Sequence, residues 1–228
     1  MRQKEAGPVG AVVVAAGLSS RMDGVDKLFA PVAGRPLLAY TLSAFQACPA
    51  VEKVALVLGQ PNLERGRGLA CSLGLEKVMA ICLGGERRQD SVRAGLLALQ
   101  PCAWVVVHDG ARPLVTADLI QEGLAVAAET GAAAAAVPIA DTLKEVANDG
   151  LVRCTVSRHG LWAVQTPQVF SYDLLLMAHQ QVGADVTDDA ALVEHLGHPV
   201  KLYPGSRRNI KVTSPEDLAL VEALLSVP

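Results

Sequence analysis

Four short apolar runs, GAVVVAA, KVALVLG, VMAICLGG and AWVVVHDG, recur along the chain, each followed by turn residues and then by a segment with helical spacing. Continuous runs of this length are what strands covered on both faces require, and the intervening segments supply the cover. The pattern predicts a parallel α/β sheet. Helices are expected over PLLAYTLSAFQA, RQDSVRAGLLALQ and ADLIQEGLAVAAET. In the last of these, Thr116 is the expected N-cap and Asp118 places an acid in the first turn, where it complements the helix dipole.

The stretch GAAAAAVPIADT sets a run of alanines, which are strong helix formers, between Gly131 and Pro138, with six residues between the two. That is too short for a helix and predicts a fifth buried strand. Beyond Pro138 the alternation turns polar, and DTLKEVANDGLVRCTVSR predicts two short strands joined at Asn148, Asp149 and Gly150. Both faces of this hairpin are too polar for a core. The remainder reads as a loop over WAVQTPQVF, helices near 172–181 and 188–195, a strand at 200–203 and a closing helix, PEDLALVEALL. Ser214 is its expected N-cap and Pro215 its first residue. One domain over 1–228, with an arm at about 138–160, is the expected organisation.

Composition narrows the classes of function. The formal net charge is -3 and no block of basic residues occurs, so a nucleic-acid partner is not expected. The five cysteines, Cys48, Cys71, Cys82, Cys102 and Cys154, form no C-x-x-C pair, which predicts reduced thiols. The opening MRQKEAGP lacks an apolar h-region, and the run after it is interrupted too soon for a signal peptide or a membrane span. A cytoplasmic location without a membrane partner is expected.

Ligands of an open parallel sheet bind beyond the carboxyl ends of its strands, which directs attention to AAGLSSRM, LGGERRQDS and HDGARP. In the first, Gly17 gives the backbone freedom and Arg21 brings charge, with Lys27 six residues further on. Neither G-x-G-x-x-G nor a P-loop is present. In the second, Gly84 and Gly85 precede a helix, so donors there and the Ser91 hydroxyl can face an anion or a base; a plain capped turn fits as well. In the third, Asp109 emerges from a buried strand with Arg112 nearby, a carboxylate suited to a divalent metal or a substrate hydroxyl, while His108 reads as a packed histidine. Arg207, Arg208 and Lys211 add cations late in the chain. Several cations in a protein of net negative charge point to a phosphorylated, anionic substrate.

The stretches AVVVAAGLSSRM, GGERRQDSV, VVVHDGARPLV, VPIADTLKEV, RHGLWAVQTPQVF, VTDDAALVEHLG and NIKVTSPEDLALVEALL, in this order, resemble the 2-C-methyl-D-erythritol 4-phosphate cytidylyltransferases of the non-mevalonate isoprenoid pathway. The resemblance implies an α/β, Rossmann-like nucleotidyltransferase with a mostly parallel central sheet and a projecting β-hairpin arm. It implies attack by the phosphate of methylerythritol phosphate on the α-phosphorus of CTP, with Mg²⁺ bound mainly through the CTP phosphates and no protein metal ligands. Arg21, Lys27, Arg158 and Lys211 then look like the catalytic cations. Ala15, Ala16, Gly17, Gly85, Glu86, Arg88 and Ser91 look like CTP contacts, and Asp109, Arg112, Thr142, Thr166 and Thr187 like acceptor contacts. A homodimer through the arm is also implied, with Thr142 and Arg158 serving the partner's site. The loop between Arg21 and Lys27 is one residue shorter than in that family and reads Asp26-Lys27-Leu28, which is similar to the molybdenum-cofactor nucleotidyltransferases. Ribitol-5-phosphate cytidylyltransferases share much of the frame, and a nucleotide-binding protein without catalysis is a third reading.

Overall fold

The first apolar run forms β1 (Val9–Ala15) in the computed structural model, which describes residues 7–17 and 26–227. A small ribbon of β2 (Pro31–Val32) and β3 (Arg35–Pro36) leads into α1 (Leu37–Ala47). Strand and helix then alternate through β4 (Lys53–Leu58), α2 (Leu63–Ser72), β5 (Val78–Leu83), α3 (Arg88–Ala98), β6 (Trp104–Asp109), α4 (Ala117–Thr130) and β7 (Ala132–Pro138). A second ribbon, β8 (Leu143–Val146) with β9 (Val152–Val156), precedes β10 (Trp162–Ser171). The chain closes with α5 (Tyr172–Gln181), α6 (Asp189–His195), β11 (Lys201–Pro204) and α7 (Pro215–Leu225).

The large sheet has seven strands in the order β11-β7-β10-β6-β1-β4-β5. Its pairings are parallel apart from the two made by β10, which runs antiparallel between β6 and β7. Alternate side chains of each central strand serve different cores, as the two-residue period of a strand requires. Ala11, Val13 and Ala15 of β1 pack under α1, α2 and α4, whereas Val12 packs under α3 and α5. β6 divides likewise, with Trp104 and Val106 on one side and Val105 and Val107 on the other. Helices on both faces explain why these strands are apolar throughout.

The alanine run is the buried strand β7, since burial between helix layers outweighs the helix preference of alanine. Thr116 caps α4 by accepting from the Leu119 amide at 3.2 Å. At α7, Asp217 Oδ2 accepts from the Ser214 amide at 3.0 Å and fixes the predicted start.

Three expectations need correction. WAVQTPQVF is not a loop but most of β10, one of the longest strands of the sheet. Pro167 cannot donate to a ladder and argues against a central strand, yet it falls where the pairing with β7 shifts register, between Val164 and Gln168. The VMAICLGG run is β5, a sheet edge rather than a strand buried on both faces: Met79 is 73% and Leu83 51% exposed. α2 was absent from the expected helices because its sequence, LERGRGLACS, is charged and glycine-containing. It buries only Gly66 and Leu69, and a Cβ at position 66 would stand 2.2 Å from Leu58 Cδ1.

Candidate active site

The chain leaves β1 toward β4 on one side, while β6 lies on the other, so the strand order reverses at β1. A crevice opens beyond the carboxyl ends at such a point. Here it is a cleft of about 490 Å³, walled by the turn after β1, the turn before α3, the end of β6, Lys27 and Lys211.

Glycine lets the first two turns meet. A Cβ at Gly84 would lie 2.3 Å from Ala16 Cβ and 2.7 Å from Ser91 Oγ. Ala15, Ala16 and Gly17 therefore form one wall, with Gly85, Glu86, Arg88 and Ser91 beside them. The Ser91 hydroxyl accepts from the Gly85 amide at 3.1 Å, and Asp90 Oδ2 accepts from the Arg87 amide at 3.2 Å. The capped turn and the cleft wall are thus the same structure.

Asp109 is the electrostatic centre. Its carboxylate meets Arg88 Nε at 3.2 Å, Lys211 Nζ at 2.8 Å and Arg112 Nε at 3.7 Å. Burial favours the neutral acid, but Arg88, Lys211 and Arg112 together outweigh it and hold the group well below the usual carboxylate range. For Arg88 burial opposes the charge, and Asp189 and Asp109 more than restore it, so its pKa lies above that of an ordinary arginine.

Lys211 reaches Asp109 because its segment is stitched to the end of β6. Arg112 Nη1 donates to Asn209 O at 2.7 Å, and the Val212 amide donates to Ala111 O at 2.8 Å. Lys27 enters the cleft wall from the other side and donates to Val212 O at 3.0 Å. Lys27 therefore reaches the cleft.

The structure places the other expected site residues differently. Thr166 is buried behind Asp109: its hydroxyl accepts from the Asp109 amide at 3.0 Å and lies 3.1 Å from His108 Nδ1. Arg112 also sits behind Asp109 and does not line the cleft. Thr142 and Arg158 are exposed on the arm and Thr187 is exposed just ahead of α6, so none of the three lines the cleft within this chain. Arg21 lies outside the described residues. Arg207 and Arg208 are not cleft cations: Arg207 donates to Pro138 O at 3.2 Å, and Arg208 closes the end of α7 on Leu224 O and Val227 O at 2.8 and 2.9 Å. Such capping of terminal helix carbonyls is a structural use of arginine.

A family model described as 2-C-methyl-D-erythritol 4-phosphate cytidylyltransferase matches residues 9–227. The chain belongs to this cytidylyltransferase family. A 2-C-methyl-D-erythritol 4-phosphate cytidylyltransferase of Dehalococcoides mccartyi (strain CBDB1) is 54% identical over 217 residues, covering 95% of this chain and 96% of the relative. One from Pelotomaculum thermopropionicum is 49% identical over 225 residues, covering 95% and 94%. The crystal structure of the Thermus thermophilus cytidylyltransferase superposes with a TM-score of 0.79 at 36% identity, covering 95% of this chain and 98% of that one. Against this cytidylyltransferase background the cleft is the place where the family's chemistry is to be sought.

Several residues that build the cytidylyltransferase cleft gave little signal in the sequence. Asp189, with its side chain wholly buried, receives Arg88 Nη1 at 2.6 Å and faces His179 Nε2 at 3.3 Å. Burial raises its carboxyl pKa less than Arg88 and His179 lower it. Gln168 on β10 ties α6 down, accepting from the Ala190 amide at 3.0 Å and donating to Asp188 Oδ2 at 2.8 Å. The only sign of these roles was the acid pair in VTDDAALVEHLG, which also fits an ordinary helix start. Among the described residues no three His, Cys, Asp or Glu side chains converge as metal ligands, and no helix is long and apolar enough to cross a membrane.

Proposed function

We propose that this cleft transfers a cytidylyl group from CTP to the phosphate of 2-C-methyl-D-erythritol 4-phosphate. A phosphate oxygen of the acceptor bonds to the α-phosphorus of CTP, the bond from that phosphorus to the bridging oxygen breaks, and pyrophosphate leaves, giving 4-diphosphocytidyl-2-C-methyl-D-erythritol. The observation that carries this is family membership across nearly the whole chain, with 54% identity to a named cytidylyltransferase.

The attacking phosphate is already an anion, so the protein needs no strong base. Its work is alignment and the offsetting of repulsion between two sets of phosphate charges. The close turns at Ala15, Ala16, Gly17 and Gly85, with Ser91, suit backbone contacts to the nucleotide. Glu86 and Arg88 complete that wall, and Lys27 and Lys211 face the phosphates; the resemblance adds Arg21 as a further cation, at a position outside the described residues. Asp109 holds Arg88 and Lys211 apart and oriented, while Arg112 and Thr166 set Asp109 from behind. The resemblance also offers Thr187, exposed ahead of α6, as an acceptor contact, though it does not line the cleft.

Two carboxylates, Glu86 and Asp109, line the cleft, and Asp109 is already taken up by Arg88 and Lys211, so the lining suits Mg²⁺ that enters with the triphosphate better than an all-protein cage. When bound, Mg²⁺ supplies charge neutralisation on the triphosphate.

The arm supports a homodimer in which Thr142 and Arg158 serve the partner's cleft. It leaves apolar side chains open to solvent, including Val146 and Leu151, at 50% and 68% exposure, which an isolated ribbon has no reason to carry. The five unpaired cysteines fit a reducing, cytoplasmic setting.

The test is pyrophosphate release from CTP and Mg²⁺ with methylerythritol phosphate, ribitol 5-phosphate or no acceptor. Release with methylerythritol phosphate alone is expected. Turnover with ribitol 5-phosphate only, or a preference for GTP over CTP, would reassign the substrates.

A further inference from the structure

Arg88 is gripped by carboxylates that reach it from opposite parts of the fold. Asp109, at the end of β6, takes Nε at 3.2 Å, and Asp189, the first residue of α6, takes Nη1 at 2.6 Å. The two anchors differ in what else they touch. Asp109 lines the cleft and divides its oxygens among Arg88, Lys211 and Arg112. A phosphate that draws Lys211 or Arg88 toward itself therefore competes with Asp109 for them. Asp189 is fully buried and outside the cleft lining, so a ligand in the cleft does not displace it.

The position of Asp189 is itself braced. Asp188 caps α6 by accepting from the Ala191 amide at 3.0 Å, and Gln168 binds both Asp188 and the Ala190 amide. Gln89, next to Arg88, holds the preceding segment by donating to Ala184 O at 3.2 Å and accepting from the Val186 amide at 3.2 Å. His179 Nε2 stands 3.3 Å from the second Asp189 oxygen. With Nε and Nη1 both engaged, the guanidinium plane is fixed, and with it the direction of Nη2, which is buried without a protein partner. A planar fork held at two corners presents its third corner in one direction.

We propose that Asp189 is a positioning residue for CTP: it keeps Arg88 oriented toward the nucleotide while Asp109 is engaged by ligand. This rests on the reading of the cleft as a CTP site with Arg88 among its contacts.

The experiment titrates CTP with Mg²⁺ into wild type, Asp189→Asn, Arg88→Met and the double variant by calorimetry, and measures KM for both substrates. Failure of the wild type to bind CTP would overturn the reading of the cleft itself. Given wild-type binding, Asp189→Asn is expected to weaken CTP about tenfold, the scale of one charge-assisted hydrogen bond, with KM for methylerythritol phosphate within about twofold. The double variant is expected to bind CTP no more weakly than Arg88→Met, because a residue that acts through Arg88 has nothing left to position. Unchanged CTP affinity in Asp189→Asn, losses that multiply in the double variant, or equal damage to both substrates would each overturn the proposal. If Asp189→Asn does not fold, His179→Leu carries the test: it keeps the carboxylate and removes its second partner, and is expected to weaken CTP about threefold. Unchanged affinity there overturns the proposal as well.

Discussion

Thr166 Oγ1 lies 3.1 Å from His108 Nδ1, and both side chains are buried. The same hydroxyl accepts from the Asp109 amide at 3.0 Å, so its proton points to the imidazole, and His108 Nε2 then donates to Arg112 O at 3.1 Å. This tautomer is assigned from its partners. It satisfies a neutral histidine on both nitrogens and orders the backbone that carries Asp109 and Arg112. A protonated ring would have two donors and would lose the hydroxyl's donation.

The pH dependence of stability follows. Burial, offset in part by the Arg112 carbonyl and Asp109, pushes His108 down to about 4. An unfolded histidine titrates near 6.5, so between about 6.5 and 4 the unfolded chain binds a proton that the folded chain does not. Stability is therefore full above about 6.5 and falls as pH drops toward 4, by about 3 kcal/mol at most from this residue. Urea unfolding of wild type and His108→Gln across this window should give diverging curves, steeper for wild type. Parallel curves would show that His108 does not titrate as its surroundings require.

Lys27 gives a different kind of test. Lys27 Nζ donates to Val212 O at 3.0 Å, a hydrogen bond worth ~1 kcal/mol, which corresponds to a Tm change of about 2–4 °C in a chain of this size. Lys27→Met should thus stay folded while pyrophosphate release falls on the order of 10²-fold, the scale for loss of one group that stabilises transition-state charge. A rate within threefold of wild type would remove Lys27 from the phosphates.

Gly95 is where α3 rides closest on the sheet. A Cβ there would meet Val12 Cγ1 at 2.5 Å and Val57 Cγ2 at 3.0 Å, atoms of short, stiff side chains. Gly95→Ala should lower stability by about 1–3 kcal/mol, read as a drop of roughly 5 °C in Tm by calorimetry. Since α3 carries Arg88 and Ser91 at its first turn, CTP affinity should fall with it. A Tm equal to wild type would mean that the helix shifts freely, contrary to this packing.

Removal of residues 142–157 asks what the arm is for. The ribbon contributes nothing to the two cores under the sheet, so the shortened chain should keep its circular-dichroism spectrum. It should elute as a monomer and show little activity, because Thr142 goes with the ribbon and Arg158 loses its support. A truncated monomer with full turnover would contradict the shared-site reading.

The strands were legible where burial on both faces made the sequence continuous: β1, β4 and β6 needed nothing beyond their apolar runs. β10 was not, because Pro167 and its glutamines are answered by partners distant in sequence, such as Gln168 by the α6 terminus. α2 failed as a pattern because glycine at 66 is demanded by the close approach of Leu58, a packing constraint that apolar periodicity does not register. The same division holds in the cleft. Asp109, Arg88 and Lys211 were visible as polar residues beyond strand ends or near α7, whereas Asp189 meets Arg88 across 101 positions and looked like one more helix-start acid.

One strand running backwards has a geometric result for the whole molecule. Because β10 opposes its neighbours, Pro138 at the end of β7 pairs with Trp162 at the start of β10, on the rim where β6 ends in Asp109. Both stems of the arm are thus rooted at the rim that bears the cleft. Whatever the ribbon clasps is tethered beside the mouth of the cleft, in an orientation set by paired strands instead of a hinge.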